Sequence, residues 1–148
     1  MKEIDYGEII SQLENELNAQ CAIANKYGIV LGSVIPEFAK GKVIPQKILE
    51  LISDRQDIAE ELNLDKITSF ALESKDNNYL FTFSEELILI SKLGLDVNLA
   101  KFMPSIRMFV KNLSEKSKEK ELGEFSNFDF SKEISQIKET VKKESYKS

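Results

Sequence analysis

The residues able to do chemistry are few. The 148-residue chain has one cysteine, Cys21, and no histidine. That excludes a disulfide within the chain, zinc sites of the Cys/His type and every scheme that needs imidazole. Cys21 lies in an apolar run, Cys21-Ala22-Ile23-Ala24, which suits a small buried hydrophobe. Without a histidine to activate it, it has no route to becoming a nucleophile. Paired carboxylates occur at Glu85-Glu86 and at Asp54 with Asp57; on a chain this acidic they read as solvated charges rather than an acid/base dyad. Asp76-Asn77-Asn78 has one carboxylate where a calcium loop needs several, and reads as a turn. The glycines at 7, 28, 32, 41, 94 and 123 form neither a dinucleotide fingerprint nor a phosphate loop. No catalytic residue, cofactor or metal ligand is expected, and the enzyme class is disfavoured.

Charge argues the same way about partners. Lys and Arg number 20 against 25 Asp and Glu, a net charge of -5. No basic cluster stands out along the sequence, so a phosphate backbone would be repelled and nucleic acid is not expected. The longest weakly polar run, Gly28 to Ile35, is too short to span a bilayer, and no membrane insertion is expected. The charged N-terminus lacks the apolar stretch of a signal peptide, and a lone thiol fits a reducing, cytoplasmic setting.

The elements that would position these residues follow from periodicity. Ile10, Leu13 and Leu17 recur at helical spacing and predict a helix over about Tyr6 to Ala19. Two apolar runs, Cys21 to Ala24 and Ile29 to Ile35, flank Asn25-Lys26-Tyr27-Gly28 and read as a hairpin closed by Pro36. Glu37 to Lys42 is a loop. From Pro45, the residues Ile44, Ile48, Leu51, Ile52, Ala59 and Leu62 fall on one face at about 100° per residue, predicting one helix that stops near Asn63. Three strands follow, Ile67 to Leu72, Tyr79 to Phe83 and Leu87 to Ser91, with short turns that make them an antiparallel meander. A last long helix begins after Gly94, capped by Asp96 or Asn98, with Pro104 expected to kink it or delay its start. Its apolar face is Leu99, Met103, Ile106, Phe109, Val110 and Leu113.

Composition changes at Ser114. Up to Leu113 there are 12 basic and 17 acidic residues; beyond it, eight of each. Ser114 to Glu121 reads either as a solvated extension of the helix or as a charged linker, with Leu122-Gly123 as its stop. Phe130, Ile134, Ile137 and Val141 then sit four, three and four apart, one side of a short amphipathic helix. Such a helix needs an apolar surface to persist in water. The same subunit, a second subunit or a partner protein could supply it; docking within a dimer, on the sheet or on the first and last helices, is the favoured expectation.

The order α-β-β-α-β-β-β-α, plus one extra helix, resembles the Roadblock (dynein light-chain) family, a fold relative of longin and profilin-like domains. Asn25-Lys26-Tyr27-Gly28-Ile29-Val30-Leu31 is similar to that family's first hairpin. Leu72-Glu73-Ser74 followed by Tyr79-Leu80-Phe81 is similar to its central strand pair, and Leu93 to Ala100, with Asn98-Leu99-Ala100, to the entry of its last helix. The resemblance covers about Tyr6 to Leu113, and the expected domains are 1–113 for the Roadblock-like part and 114–148 for a charged extension and C-terminal helix. It departs in the long Glu37 to Lys42 loop and in Pro104. The expected fold is α+β, one five-stranded antiparallel sheet with helices on both faces.

The resemblance implies a homodimer joined through the second helix and third strand, and a non-enzymatic platform or GTPase-activating partner for small Ras-like GTPases. The residues then expected at the dimer interface are Ile48, Leu51, Ile52, Arg55, Ala59, Ile67, Ser69 and Ala71. Arg55 falls within an apolar stripe, where it either snorkels to solvent or pairs with a carboxylate of the second subunit; the interface is favoured. A reading of another class is a PAS-like small-ligand sensor, which would require a cavity beside the aligned aromatics Tyr79, Phe81 and Phe83.

Overall fold

Asp5 starts the first helix. Its Oδ1 accepts a hydrogen bond from the Glu8 amide at 3.1 Å, satisfying a donor that has no partner within the helix. In the computed structural model, which describes residues 4–121 and 131–145, this helix is α1 (Tyr6–Leu17). It buries Ile9, Ile10 and Leu13 and ends at Asn18, whose left-handed backbone (φ 54°) closes it two residues earlier than Ala19. The strands β1 (Gln20–Asn25) and β2 (Val30–Ser33) form the first hairpin. Its turn is built by two residues. Asn25 Oδ1 accepts from the Tyr27 and Ile29 amides, each at 3.0 Å, and Gly28 takes φ +88°, open to glycine at little cost.

The remaining strands are β3 (Ser69–Glu73), β4 (Asn78–Phe83) and β5 (Leu87–Leu93). All pairings are antiparallel, and the sheet order is β2-β1-β5-β4-β3. The two hairpin units therefore meet at β1 and β5, and β2 and β3 form the two edges. The third strand begins at Ser69 rather than Ile67, although the Phe83 amide still donates to the Thr68 carbonyl at 3.0 Å. The turn Ser84-Glu85-Glu86 is closed by the Ser84 hydroxyl, which accepts from the Leu87 amide and donates to its carbonyl.

Strand alternation divides the core in two. On one face Cys21, Ile23, Leu80, Leu87, Leu89 and Leu93 pack against α1, α4 (Leu99–Glu121) and α5 (Ser131–Ser145). On the other, Ala22, Ala24, Val30, Phe81, Ile88 and Ile90 meet α2 (Gln46–Ser53) and the chain between β2 and α2, which contributes Ile35, Phe38 and Ile44. The structure corrects the expectation of one helix from Pro45 to Leu62. That stretch breaks at Asp54 into α2 and α3 (Arg55–Glu61). The apolar spacing runs on across the break, so periodicity alone gave no sign of it. Asn63, at φ 58°, does mark the stop.

The helix α4 carries Pro104 five residues after its start, and the helix continues through it. Proline supplies no donor for the Ala100 carbonyl, and both residues are exposed, so water can satisfy that oxygen. Asn98 supplies the cap: its Oδ1 accepts from the Lys101 amide at 3.3 Å. The helix is continuous across Leu113 and Ser114 as far as Glu121. Two contacts tie this stretch to the body. Ser114 Oγ accepts from the Glu86 amide at 3.0 Å, and the Tyr6 hydroxyl donates to Ser117 Oγ at 3.3 Å. The expected stop at Leu122-Gly123 lies outside the described residues.

Candidate functional site

Cys21 is fully buried, 3.7 Å from Ser91 Oγ and 3.6 Å from the Ala19 carbonyl. Burial pushes its thiol up to about 12, which holds it protonated and inert. Among the described residues, no three of the metal-binding types gather in one place. No described helix is long and apolar enough to cross a membrane.

What the fold does present is a surface. The sheet face that carries α1, α4 and α5 is thickly covered; the opposite face is covered by α2 and the chain before it, with Arg55 of α3 resting on Phe83. Towards the β3 edge that second face thins. Phe70, Tyr79 and Phe83 are only half-buried, as are Ile48, Leu49 and Leu51 on α2. Leu62, Leu64 and Leu72 are exposed. The outer edge of β3 has no strand partner among the described residues.

The eight residues expected at an interface are distributed as follows. Ile48 and Leu51 lie half-buried on α2, and Ile67 and Ser69 lie half-buried at the start of the β3 edge. Ala71 is exposed on that edge. Ile52 and Ala59 are already enclosed within the single chain, at 3% and 0% exposure. Ile52 and Ala59 are the residues that α2 and α3 bury.

Arg55 stands at the corner of this face. Its Nη1 donates to the Ile52 carbonyl at 2.7 Å, satisfying an oxygen at the end of α2 that has lost its helical partner. The guanidinium stacks 4.6 Å from the centre of the Phe83 ring, which in turn meets Phe70 edge-on. Burial lowers the pKa of this group, yet an arginine remains cationic at any physiological pH. Arg55 thus fastens the α2–α3 corner to β4. Neither use expected of it, snorkelling or pairing across an interface, anticipated the stack on Phe83; Arg55 and Phe83 are 28 positions apart, and only the fold joins them.

Phe38 is a core residue that the loop reading of Glu37 to Lys42 passed over. It is 2% exposed and packs against the rings of Phe81 and Tyr79 at 6.2 and 6.3 Å. The space beside Phe81, where a ligand-sensing domain would hold its cavity, is filled by this side chain. The signal was a lone aromatic in a polar loop, flanked by Pro36 and Gly41.

The C-terminal residues occupy the other face. Ile134 is completely buried and Ile137 nearly so, packed with α1 and α4, and Val141 is half-buried beside them. Lys138 pairs with Glu16 of α1 at 3.3 Å, and Asn112 of α4 donates to Glu133 at 3.2 Å. Partial burial raises the pKa of Glu133. Phe130 lies outside the described residues. Between α4 and α5 runs an open groove of about 330 Å³, floored by Phe109 and Ile137 and rimmed by Asn112 and Glu133.

No family model matches the chain, and no curated protein matches it. Solved structures do. MglB from Myxococcus xanthus superposes with a TM-score of 0.51 at 13% identity, over 95% of each chain. The gliding protein MglB from Thermus thermophilus gives 0.47 at 13% identity over 94% of each chain, too distant to support an argument. The Myxococcus structure establishes likeness of fold over nearly the whole length of both chains.

Proposed function

We propose that this chain is a dimeric, non-enzymatic regulator or scaffold for a small Ras-like GTPase. The observation that carries the reading is the open β3 edge beside the half-buried α2 face. An unpaired strand edge with exposed apolar neighbours is a state that proteins relieve by pairing or cover. A second copy relieves it most simply, with β3 beside β3 and α2 beside α2 about a two-fold axis. Ile48, Leu51, Ile67, Ser69 and Ala71 would form that contact. Arg55 at its rim would offer its remaining donors to a carboxylate of the other subunit. The GTPase part of the reading rests on the Roadblock resemblance of the hairpin and central strands, and likeness of fold to Myxococcus MglB is consistent with it.

Two measurements test the reading. Sedimentation of the purified chain at micromolar concentration should give twice 16.9 kDa; a monomer refutes the dimer. Titrating the chain into GTP-loaded small GTPases of its own cell should change the hydrolysis rate of one of them, or capture that protein in one nucleotide state. Tight GTP binding by the chain alone would refute the platform reading and reopen the enzyme class.

A further inference from the structure

The chain is acidic, but the fold gathers lysines at one corner. Residues 26–47 contain four lysines and one glutamate, a charge of +3; the rest of the chain then carries -8. This segment does not read as basic along the sequence, because Lys26 is separated from Lys40 and Lys42 by a whole strand. The structure folds it back on itself. The Val30 amide donates to the Lys42 carbonyl at 2.9 Å, the Gly41 amide to the Val30 carbonyl at 2.8 Å and the Ile44 amide to the Gly28 carbonyl at 2.8 Å. Ile29 and Val43 become bridge partners, and the hairpin turn and the Lys40-Gly41-Lys42 turn come to share one edge.

That corner is also apolar. Tyr27 is 70% exposed, Val43 56% and Ile29 41%, three large side chains in contiguous backbone. Lys26 lies 5.5 Å from the Tyr27 ring and pairs with Glu86 at 3.5 Å, and Lys47 faces Glu50 at 3.9 Å. Lys40 and Lys42 make no ion pair among the described residues. The Lys47–Glu50 pair is exposed on both sides, and such pairs are weak and exchange readily for another anion; Lys26 is 46% exposed while Glu86 is 16% exposed.

We propose that this corner docks the protein reversibly on an anionic lipid bilayer, with Tyr27, Ile29 and Val43 at the headgroup boundary and the lysines against lipid phosphates and carboxylates. Charge complementarity selects an anionic surface, because the corner carries +3 on a chain whose net charge is -5. A bilayer fits better than an acidic protein for two reasons. The cations are all lysines, which protein interfaces deplete, whereas a leaflet attracts them as point charges. The surface is two adjoining turns at a sheet edge, suited to a flat partner, and an exposed tyrosine with aliphatic neighbours matches the amphipathic boundary of a membrane. The corner lies on the β2 edge, opposite β3, so docking leaves the proposed dimer edge free.

The test is co-sedimentation of the full chain with phosphatidylcholine vesicles, with and without ~30 mol % phosphatidylserine. The wild type should pellet with the anionic vesicles and not with the neutral ones, and added salt should release it. Each lysine near such a surface strengthens binding about fivefold, so Lys40→Ala combined with Lys42→Ala should weaken it about 30-fold. Tyr27→Ser should weaken it further at unchanged charge. Lys75→Ala, in the β3–β4 turn, should not. All these positions are exposed, and unchanged melting of each variant confirms its fold. Equal retention on neutral vesicles, or a double variant that pellets like the wild type, overturns the proposal. So does a wild type that ignores both vesicles but binds poly-glutamate, which would assign the corner to an acidic protein.

Discussion

Replacing Ile134 by alanine tests whether α5 is part of the folded body or a peptide held for another protein. Ile134 is 0% exposed and lies in the same cluster as Ile10 and Leu13 of α1 and Phe109 and Leu113 of α4. Truncating a buried isoleucine costs about 2–5 kcal/mol, the transfer of its methyl groups plus the cavity left behind. The site is enclosed by two other helices, which limits collapse, while α5 can shift to fill part of the void, so the middle of that range, about 3 kcal/mol, is expected. The better helix propensity of alanine returns roughly half a kcal/mol. The net, about 2.5 kcal/mol, lowers Tm by about 8 °C in a chain of this size. Circular dichroism melts of the wild type, Ile134→Ala and the exposed control Ser135→Ala provide the measurement. Ser135→Ala should lie within about 0.5 kcal/mol of wild type. If Ile134→Ala melts with the control, α5 is not held on the body in solution, and the burial argument fails.

Four other outcomes are expected. Leu51→Asp should leave the chain folded, because Leu51 is only half-buried, but should sediment at 16.9 kDa, while Glu50→Lys leaves the dimer intact. Gly28→Val should destabilise by about 1–2 kcal/mol by denaturant titration, since φ +88° disfavours an L side chain and a Cβ there would lie 2.7 Å from Leu49 Cδ1. Cys21 should resist a thiol reagent at pH 8 until urea is added. Because its folded pKa of about 12 exceeds the unfolded value, the folded state binds the extra proton, so this group's contribution is complete below the unfolded pKa and is lost as pH rises towards 12. Glu133 has the same sign, its pKa raised by burial, so its contribution is lost as pH rises through the carboxylate range; Glu133→Gln should therefore melt higher than wild type at pH 7 and match it in acid.

The strands were legible because the sheet is two-faced. Tyr79, Phe81 and Phe83 alternate with Leu80 and Thr82, and the structure sends the two sets to opposite cores. The first hairpin was legible from Gly28, a position where backbone geometry selects the residue. The break at Asp54 was not, because the apolar spacing runs on across it, and the contacts of Arg55 there, to the Ile52 carbonyl and the Phe83 ring, join residues that only the fold brings together. Phe38 was missed for a related reason. Hydrophobic periodicity finds elements, and a single aromatic held in a loop has no period. The lysine corner needed the 41–44 segment to pair beyond β2, which no local pattern announces.

The unequal covering of the sheet decides where this protein can use its surface. The α1 face carries three helices, and α5 adds Ile134, Ile137 and Val141 to a core that α1 and α4 already form. Among the described residues, the main apolar feature left on that side is the groove beside Met108. The α2 face receives shorter cover: eight residues in α2, seven in α3, and a loop that fills the space around Phe81 but stops short of β3. That partly covered side is where the proposed second copy would sit. The residues left there, half-buried Phe83 with Arg55 stacked upon it and Phe70 edge-on beside it, are aromatic and arginine side chains, the types that anchor protein interfaces. The β2 edge, by contrast, is closed by its own chain and ringed by lysines, a composition poor for protein cores and suited to a charged surface. If both proposals hold, the two edges of one sheet meet different neighbours, and blocking either should leave the other working.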